Sequence, residues 1–360
     1  MLGTKEPPAT GANPHVLILS VSYFYMPGKY FRDPVHGEVF VPEELMPIVD
    51  HPLFQRLRRL SQLALASYVY PSATHTRFSH SLGVFYITSR ATDDLATQVY
   101  ALVHDVGHGP FSHLSEYALA RNGHHFDHDE RMKEILPELL QDSVLTPREV
   151  LSAPLSPLVH GGVGTDRLDY LTRDSYFAGV RVGEIAWDRI VRNVSVSNGH
   201  LLVRYKVLPN VEHLFVSRFI LGDAVYFHKT VLVLDEMFVR AVGELLDHYS
   251  PKEIVAMDDI SLISAFRSIC SYWWSQIESR KLFRITGRYS DEDSARRAYD
   301  ELVRRYGEKR VLVGERASWY KPPEVHMEDG KDIVSVSPLV ASLRRAEDAR
   351  HFYFVAVSKA

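Results

Sequence analysis

Tyr100-Ala-Leu-Val-His-Asp-Val-Gly-His-Gly-Pro110 places an ionisable pair, His104-Asp105, at the end of an apolar helical run. Burying such a pair costs free energy unless something compensates it, and a divalent metal does so most readily. Two carboxylates would neutralise the ion while imidazoles supply softer nitrogen. His108 falls one turn after His104 on the same face. Gly107 and Gly109 let backbone and ligand approach closely, and Pro110 is expected to end the helix. His104 and Asp105 can point at one ion, whereas further ligands, His80 and Asp166, must come from other helices. A His-Asp pair alone is a weak signal.

Outward from this stretch, ten of the 18 histidines lie between His36 and His128, several beside apolar residues, which solvation at the surface explains poorly. His124 and His125 read as loop residues. Leu53, Phe54, Leu57 and Leu60, then Phe85, Leu95, Val99 and Leu102, recur at helical spacing, so residues 42–140 are expected to be mostly helical. Residues 143–164, rich in Pro, Gly and Ser, read as a long connection. A helix is expected over 166–177, a hairpin over 190–206 around Asn198-Gly199, and a long helical stretch over 212–249. Strands at 282–285 and 310–313 flank a charged helix, 291–306, and a last strand covers 352–357. The expected fold is mostly α, a helical core with a smaller C-terminal α+β lobe. Its divisions are an N-terminal extension at 1–25, the core at 26–279 and the lobe at 280–360.

Composition narrows the class. With 46% hydrophobic and 24% charged residues, the 360-residue chain has a globular profile. A net charge of −4 argues against a general nucleic-acid coat while leaving room for a local basic pocket. Thirty of the 41 basic residues are Arg, which fits genomic bias or forked phosphate contacts. The one cysteine, Cys270, excludes a disulfide framework and a thiolate metal site within one chain, and reads as a small buried hydrophobe. No run approaches the ~20 apolar residues of a membrane span, and 16–21 is too short and too poorly flanked for a signal peptide. No membrane association and a cytoplasmic location are expected. Met1 and Met26 both stand as candidate starts.

The ordered set His80, His104-Asp105, Asp166 resembles the signature of the HD superfamily of metal phosphohydrolases. The surrounding motifs resemble its deoxynucleoside-triphosphate triphosphohydrolase branch, typified by the sterile-alpha-motif and HD-domain protein. They are Asp33-Pro-Val-His-Gly37, Phe54-Gln-Arg-Leu-Arg58, Arg77-Phe-Ser-His-Ser-Leu-Gly-Val84, His104-Asp-Val-Gly-His-Gly-Pro-Phe-Ser-His113, Asp166-Arg-Leu-Asp-Tyr170 with Arg173-Asp174, and Tyr226-Phe-His-Lys229. They span residues 29 to about 240, and too few residues precede position 30 for a sterile-alpha-motif domain.

The resemblance implies that the core is an HD-domain catalytic core in which His80, His104, Asp105 and Asp166 hold one divalent transition metal. The His/Asp mixture suits Fe, Mn, Zn, Co or Ni better than Mg, which would accompany the nucleotide. It implies attack at the α-phosphorus of a dNTP, releasing deoxynucleoside and inorganic triphosphate. His108, His113 and His128 would serve the reaction, with Glu116 and Asp129 orienting them. Arg77, Arg218 and Lys229 are candidate phosphate holders. Gln62, Leu63, Tyr170, Asp174 and Tyr226 would select the sugar, Asp174 and Gln62 bonding a 3′-hydroxyl while Leu63 and Tyr226 crowd a 2′-hydroxyl.

The resemblance also implies a regulatory pocket for GTP or dGTP at a subunit interface of a dimer or tetramer, using Lys29, Asp50, Gln55 and Arg58, with Lys229 nearer that pocket than the reaction. Arg32 in place of the family's usual Asn, and Ala64-Leu-Ala66 in place of a glycine-rich stretch, depart from the pattern. Asp50 alone would read as a helix cap before His51-Pro52. Two other readings stay open: an HD-domain nucleotidase or phosphodiesterase on other nucleotides, and a non-catalytic nucleotide- or nucleic-acid-binding module.

Overall fold

The computed structural model describes residues 27–316 and 324–358. The extension expected at residues 1–25, and Met26 with it, lies outside the described residues. The described residues open with an antiparallel hairpin, β1 (Gly28–Asp33) and β2 (Gly37–Pro42), that the helical expectation left out. Only Val39 and Val41 of the hairpin are buried, so its apolar signal is short.

Five helices then build the frame of the site: α1 (Arg77–Ser89), α2 (Leu95–Val103), α3 (His113–Arg121), α4 (His128–Leu139) and α5 (Thr165–Ala178). α1 is buried over most of its circumference, from Phe78 through Val84 and Phe85 to Ile87, as expected of a helix packed on several sides. It lies against α2 and α5. Residues 143–164 are not one open connection: Pro147–Leu151 and Pro157–His160 are short helices. The first is opened by a capping box in which Thr146 and Glu149 satisfy each other's backbone N–H.

The predicted hairpin is β3 (Val194–Ser197) with β4 (His200–Val203). The stretch expected as one long helix is two, α6 (Leu208–Leu221) and α7 (Lys229–Leu246). A wide helical turn, Gly222–Tyr226, separates them, and the His228 ring caps α7 by accepting from Thr230 N–H.

The C-terminal α+β part has the expected β5 (Phe283–Tyr289), α8 (Glu292–Tyr306), β6 (Val311–Arg316) and last strand, β8 (Phe352–Ser358), and adds between the last two a short β7 (His326–Met327) and α9 (Pro338–Asp348) that were not expected. β8 pairs with both β5 and β6 in an antiparallel sheet, and β7 adds to β4. Leu312, Phe354 and Ala356 share a core with α7, while Val325, Met327, Ile333 and Val340 share one with α5 and α6. The last third therefore packs onto α5, α6 and α7 through two apolar faces. Cys270 corrects its reading as a buried hydrophobe: it is exposed, at φ +55°. No helix among the described residues is long and apolar enough to cross a membrane.

Candidate active site

Three helices deliver one cluster. His80 stands on α1, His104 caps the C-terminus of α2 with Asp105 next to it, and Asp166 lies in the first turn of α5. His80 Nε2 is 3.1 Å from Asp166 Oδ1 and 3.5 Å from Asp105 Oδ2. His104 Nε2 is 3.4 Å from Asp105 Oδ1 and 3.8 Å from Asp166 Oδ1. On their far sides the two rings are engaged: His80 Nδ1 lies 2.7 Å from Asp169 Oδ2, and His104 Nδ1 2.9 Å from the carbonyl oxygen of Ala101. A carbonyl only accepts, so His104 carries its proton on Nδ1 and its Nε2 lone pair faces the carboxylates. Both Nε2 atoms are buried without a hydrogen-bond partner. His80, His104 and Asp166 bring ligand atoms within 4.8 Å of one another with Asp105 beside the two rings, and this set of orphaned imidazole nitrogens and carboxylates fits a divalent transition metal.

The charge balance says the same. Burial disfavours an imidazolium at His80, yet Asp166, Asp169 and Asp105 raise it to about 10, so without a metal the carboxylates would retain a proton there. Burial likewise opposes ionisation of Asp105, but Arg77, His104 and His108 hold it well below the usual carboxylate range. Arg77 Nη1 donates to Asp105 Oδ2 at 2.7 Å, and its Nε donates to Ser112 Oγ at 2.8 Å.

A second cluster adjoins the first. His108 Nε2 is 3.3 Å from Asp105 Oδ1, and its ring stacks on that of His128 with centroids 3.8 Å apart. Glu116 holds two rings at once, Oε2 2.8 Å from His113 Nδ1 and Oε1 2.6 Å from His128 Nδ1. Against its burial, these histidines keep Glu116 ionised far below the ordinary carboxylate range, and against burial Glu116 raises His128. His108 goes the other way, pushed well down by burial and by Arg77. Asp129 is exposed, 3.7 Å from His128 Nε2. The turn before α3 is strained, with φ of 57° at Phe111 and 59° at Ser112. Phe111 N–H donates to Asp259 and Ser112 Oγ donates to the Ser61 carbonyl, which pins the turn.

Both clusters open into a cavity of about 580 Å³. Of the residues expected to meet substrate, Gln62, Leu63, Arg77, Tyr170, Asp174 and Tyr226 line it. Asp174 is fixed from both sides, 2.8 Å from His75 Nε2 and accepting from the Tyr226 hydroxyl at 2.7 Å. Gln62 Oε1 is buried without a hydrogen-bond partner. Arg218, expected as a phosphate holder, places its Nη1 3.0 Å from Glu347 of α9 and is not among the residues lining the cavity. Arg167, which sequence reasoning passed over, does line it, reaching the Tyr170 hydroxyl and the Gly162 carbonyl. Its adjacency to Asp166 was the available signal.

Four of the residues expected to read guanine sit together on the surface. Lys29 Nζ is 3.2 Å from Asp50, and Arg58 Nε donates to Gln55 Oε1 at 2.7 Å. Arg58 also lies over the Phe78 ring and feels the charge of Asp50. Lys229 stands at the start of α7, beside His228. The helix at Pro52–Gln55 is capped by the ring of His51, not by Asp50.

Comparison with known proteins agrees with this geometry. The HD domain model matches residues 77–153 and the HD associated region model matches 185–309. A solved structure of a hypothetical protein from Aquifex aeolicus is 31% identical, with TM-score 0.75, over 92% of this chain and 96% of that one. A phosphohydrolase from Bacteroides thetaiotaomicron is 25% identical with TM-score 0.75, over 92% and 100%. An uncharacterized protein of Methanocaldococcus jannaschii is 34% identical over 73% of this chain and 61% of its own length. The deoxynucleoside triphosphate triphosphohydrolase SAMHD1 of Bos taurus is 27% identical over 61% of this chain and 48% of its own length. The chain spans about half to three-fifths of the curated relatives it matches. Fold and site define an HD domain with a His/Asp group that could hold a metal ion. The chain belongs to the HD-domain phosphohydrolase family.

Proposed function

We propose that this protein hydrolyses deoxynucleoside triphosphates to deoxynucleoside and inorganic triphosphate. The observation that carries the reading is that the unpartnered His80 and His104 nitrogens lie beside Asp105 and Asp166 at a cavity lined by His104, Asp105 and Asp166 together with Gln62, Asp174 and Tyr226. A metal held by His80, His104, Asp105 and Asp166 would polarise a phosphoryl oxygen and lower the pKa of a bound water. Arg77 and Arg167 would hold phosphate oxygens. Water oxygen joins the α-phosphorus, the bond from phosphorus to O5′ breaks, and O5′ takes a proton from His113 or His128. Glu116 binds both rings through Nδ1, so their Nε2 atoms are the ones left to meet the leaving oxygen.

That proton donor makes a pH prediction. Glu116 stabilises the imidazolium of His128, so the acid form persists to higher pH than a free imidazole allows. In Glu116→Gln the support is gone and the basic limb of the kcat/KM profile moves to lower pH, with kcat at neutral pH down about 10²-fold. A profile whose basic limb stays in place would show that His128 is not the acid.

Sugar choice follows from shape. Gln62 and Asp174 can bond a 3′-hydroxyl, while Leu63 and Tyr226 leave a 2′-hydroxyl crowded and unpaired. Lys29, Asp50, Gln55 and Arg58 form the proposed guanine site: a carboxylate accepts from the N1–H and N2–H of guanine, and a cation or amide donates to O6. GTP or dGTP bound there would promote a dimer or tetramer and switch turnover on.

The deciding assay incubates each dNTP and its ribonucleotide with protein and Mn²⁺, with and without GTP, and resolves products by ion exchange. Expected are triphosphate and deoxynucleoside, with ribonucleotides at least about 10²-fold slower. Equal turnover of ATP and dATP sinks the sugar reading, and monophosphate release points to a nucleotidase or phosphodiesterase. Activity and sedimented mass indifferent to GTP and dGTP remove the regulatory site.

A further inference from the structure

None of the residues of Asp33-Pro-Val-His-Gly37 lines the cavity, and the reaction above gives this motif no task. Its geometry is specific all the same. Asp33 Oδ1 accepts from the N–H groups of Val35 and His36 at 2.9 and 2.8 Å, closing the turn of the β1–β2 hairpin. Gly37, at φ +80°, completes it in a conformation that favours glycine. The turn drives the His36 ring inward between Tyr86 and Trp187, at centroid distances of 5.3 and 5.7 Å. There His36 Nε2 meets Asp169 Oδ1 at 2.6 Å.

Asp169 is the hub. Its Oδ2 lies 2.7 Å from Nδ1 of the metal ligand His80. Arg173, one turn along α5, donates Nη2 to Oδ1 and Nε to Oδ2, both at 2.9 Å. The third arm closes the ring, with Arg173 Nη1 donating to Asp33 Oδ2 at 2.7 Å. A carboxylate offers about four acceptor sites, and all are used. Asp169 and Arg173 are fully buried. α1 makes room for them at Gly83, where a Cβ would come within 1.9 Å of Asp169 Oδ1.

We propose that Asp169 is a positioning residue for the metal ligand His80, and that the Asp33–Gly37 turn holds it in place through His36 and Arg173. A carboxylate accepting from Nδ1–H fixes the ring, keeps the lone pair on Nε2 and makes that nitrogen a better ligand. Neutralising Arg173 alone would require neither the His80 contact nor a turn built to deliver His36. The inference rests on the metal reading and is independent of the substrate.

The test compares Asp169→Asn, His36→Phe and His36→Gln with wild type. The readouts are Zn²⁺ and Mn²⁺ affinity by competition titration, metal content after dialysis, and histidine tautomers by ¹H–¹⁵N correlation in the Zn²⁺-loaded protein. Asn keeps the shape, but its amide nitrogen cannot accept from an imidazole or guanidinium. Asp169→Asn and His36→Phe are expected to bind metal about 10–100-fold more weakly. His36→Gln, whose amide can donate to Asp169, stays nearer to wild type. A purely structural role would lower the melting temperature and leave the metal affinity of the folded variants unmoved. Folded Asp169→Asn with wild-type affinity overturns the inference, and should that variant not fold, His36→Phe with wild-type affinity does the same. Wild-type protein that takes up no metal overturns the metal reading itself.

Discussion

Asp105→Asn is expected to purify without its metal and to lose activity by about 10³-fold, because several kcal/mol of transition-state stabilisation go with the ion and each 1.36 kcal/mol is tenfold in rate. Asp105 links both histidines of the set to Arg77 and His108. It accepts from Arg77 and lies 3.3 to 3.5 Å from the Nε2 atoms of His80, His104 and His108. The amide fills the same volume but brings no charge. Asp105→Ala should fare worse, since Arg77, only 4% exposed, is then a buried cation without its carboxylate. Breaking a buried pair in this way costs roughly 3–5 kcal/mol. The Asn variant therefore separates metal loss from loss of fold: metal content by plasma mass spectrometry falls while the helical circular dichroism stays. Full metal content in folded Asp105→Asn would remove Asp105 from the ligand set.

Which parts of this site the sequence made legible depends on how locally each is encoded. The pair His104-Asp105 behind an apolar run is a contiguous signal, and so are the short apolar strands of the C-terminal part. Asp169 and its partners are different. His36 reaches it across 133 positions and His80 across 89, and no periodicity joins them. His75 at Asp174 is the same case, across 99 positions. The β1–β2 hairpin escaped because its turn is built by the Asp33 side chain instead of an Asn-Gly pair, and because only one short face is buried. Two misses were local and avoidable. Thr146-Pro-Arg-Glu149 has the spacing of a capping box inside a stretch read as a connection. Gly222 marks the break between α6 and α7, which apolar spacing alone carried through. Arg218 is placed by tertiary packing, which sets its guanidinium against Glu347, 129 positions away.

Gly107→Ala is expected to keep the metal while losing catalysis by about 10²-fold. A methyl group at this position would stand 2.0 Å from the carbonyl oxygen of His128 and 2.6 Å from the backbone nitrogen of Met132. Both belong to α4, and backbone cannot rotate aside as a side chain can. The first turn of α4 must therefore move away, taking the His128 ring from its place over His108 and its bond to Glu116. Overpacking of this kind costs about 1–3 kcal/mol of stability. A displacement near 1 Å at a proton donor is enough for the ~10²-fold loss in rate. None of the four metal candidates lies on α4, so metal stoichiometry should stay at the wild-type value. Gly109→Ala is the control two residues away. Its nearest neighbour is the Ser115 hydroxyl at 3.1 Å, a group that can yield, and its activity should remain within a few-fold of wild type. Measuring kcat, melting temperature and metal content on both variants separates the roles. Wild-type kcat in Gly107→Ala would mean that the position of His128 over His108 does not limit the reaction.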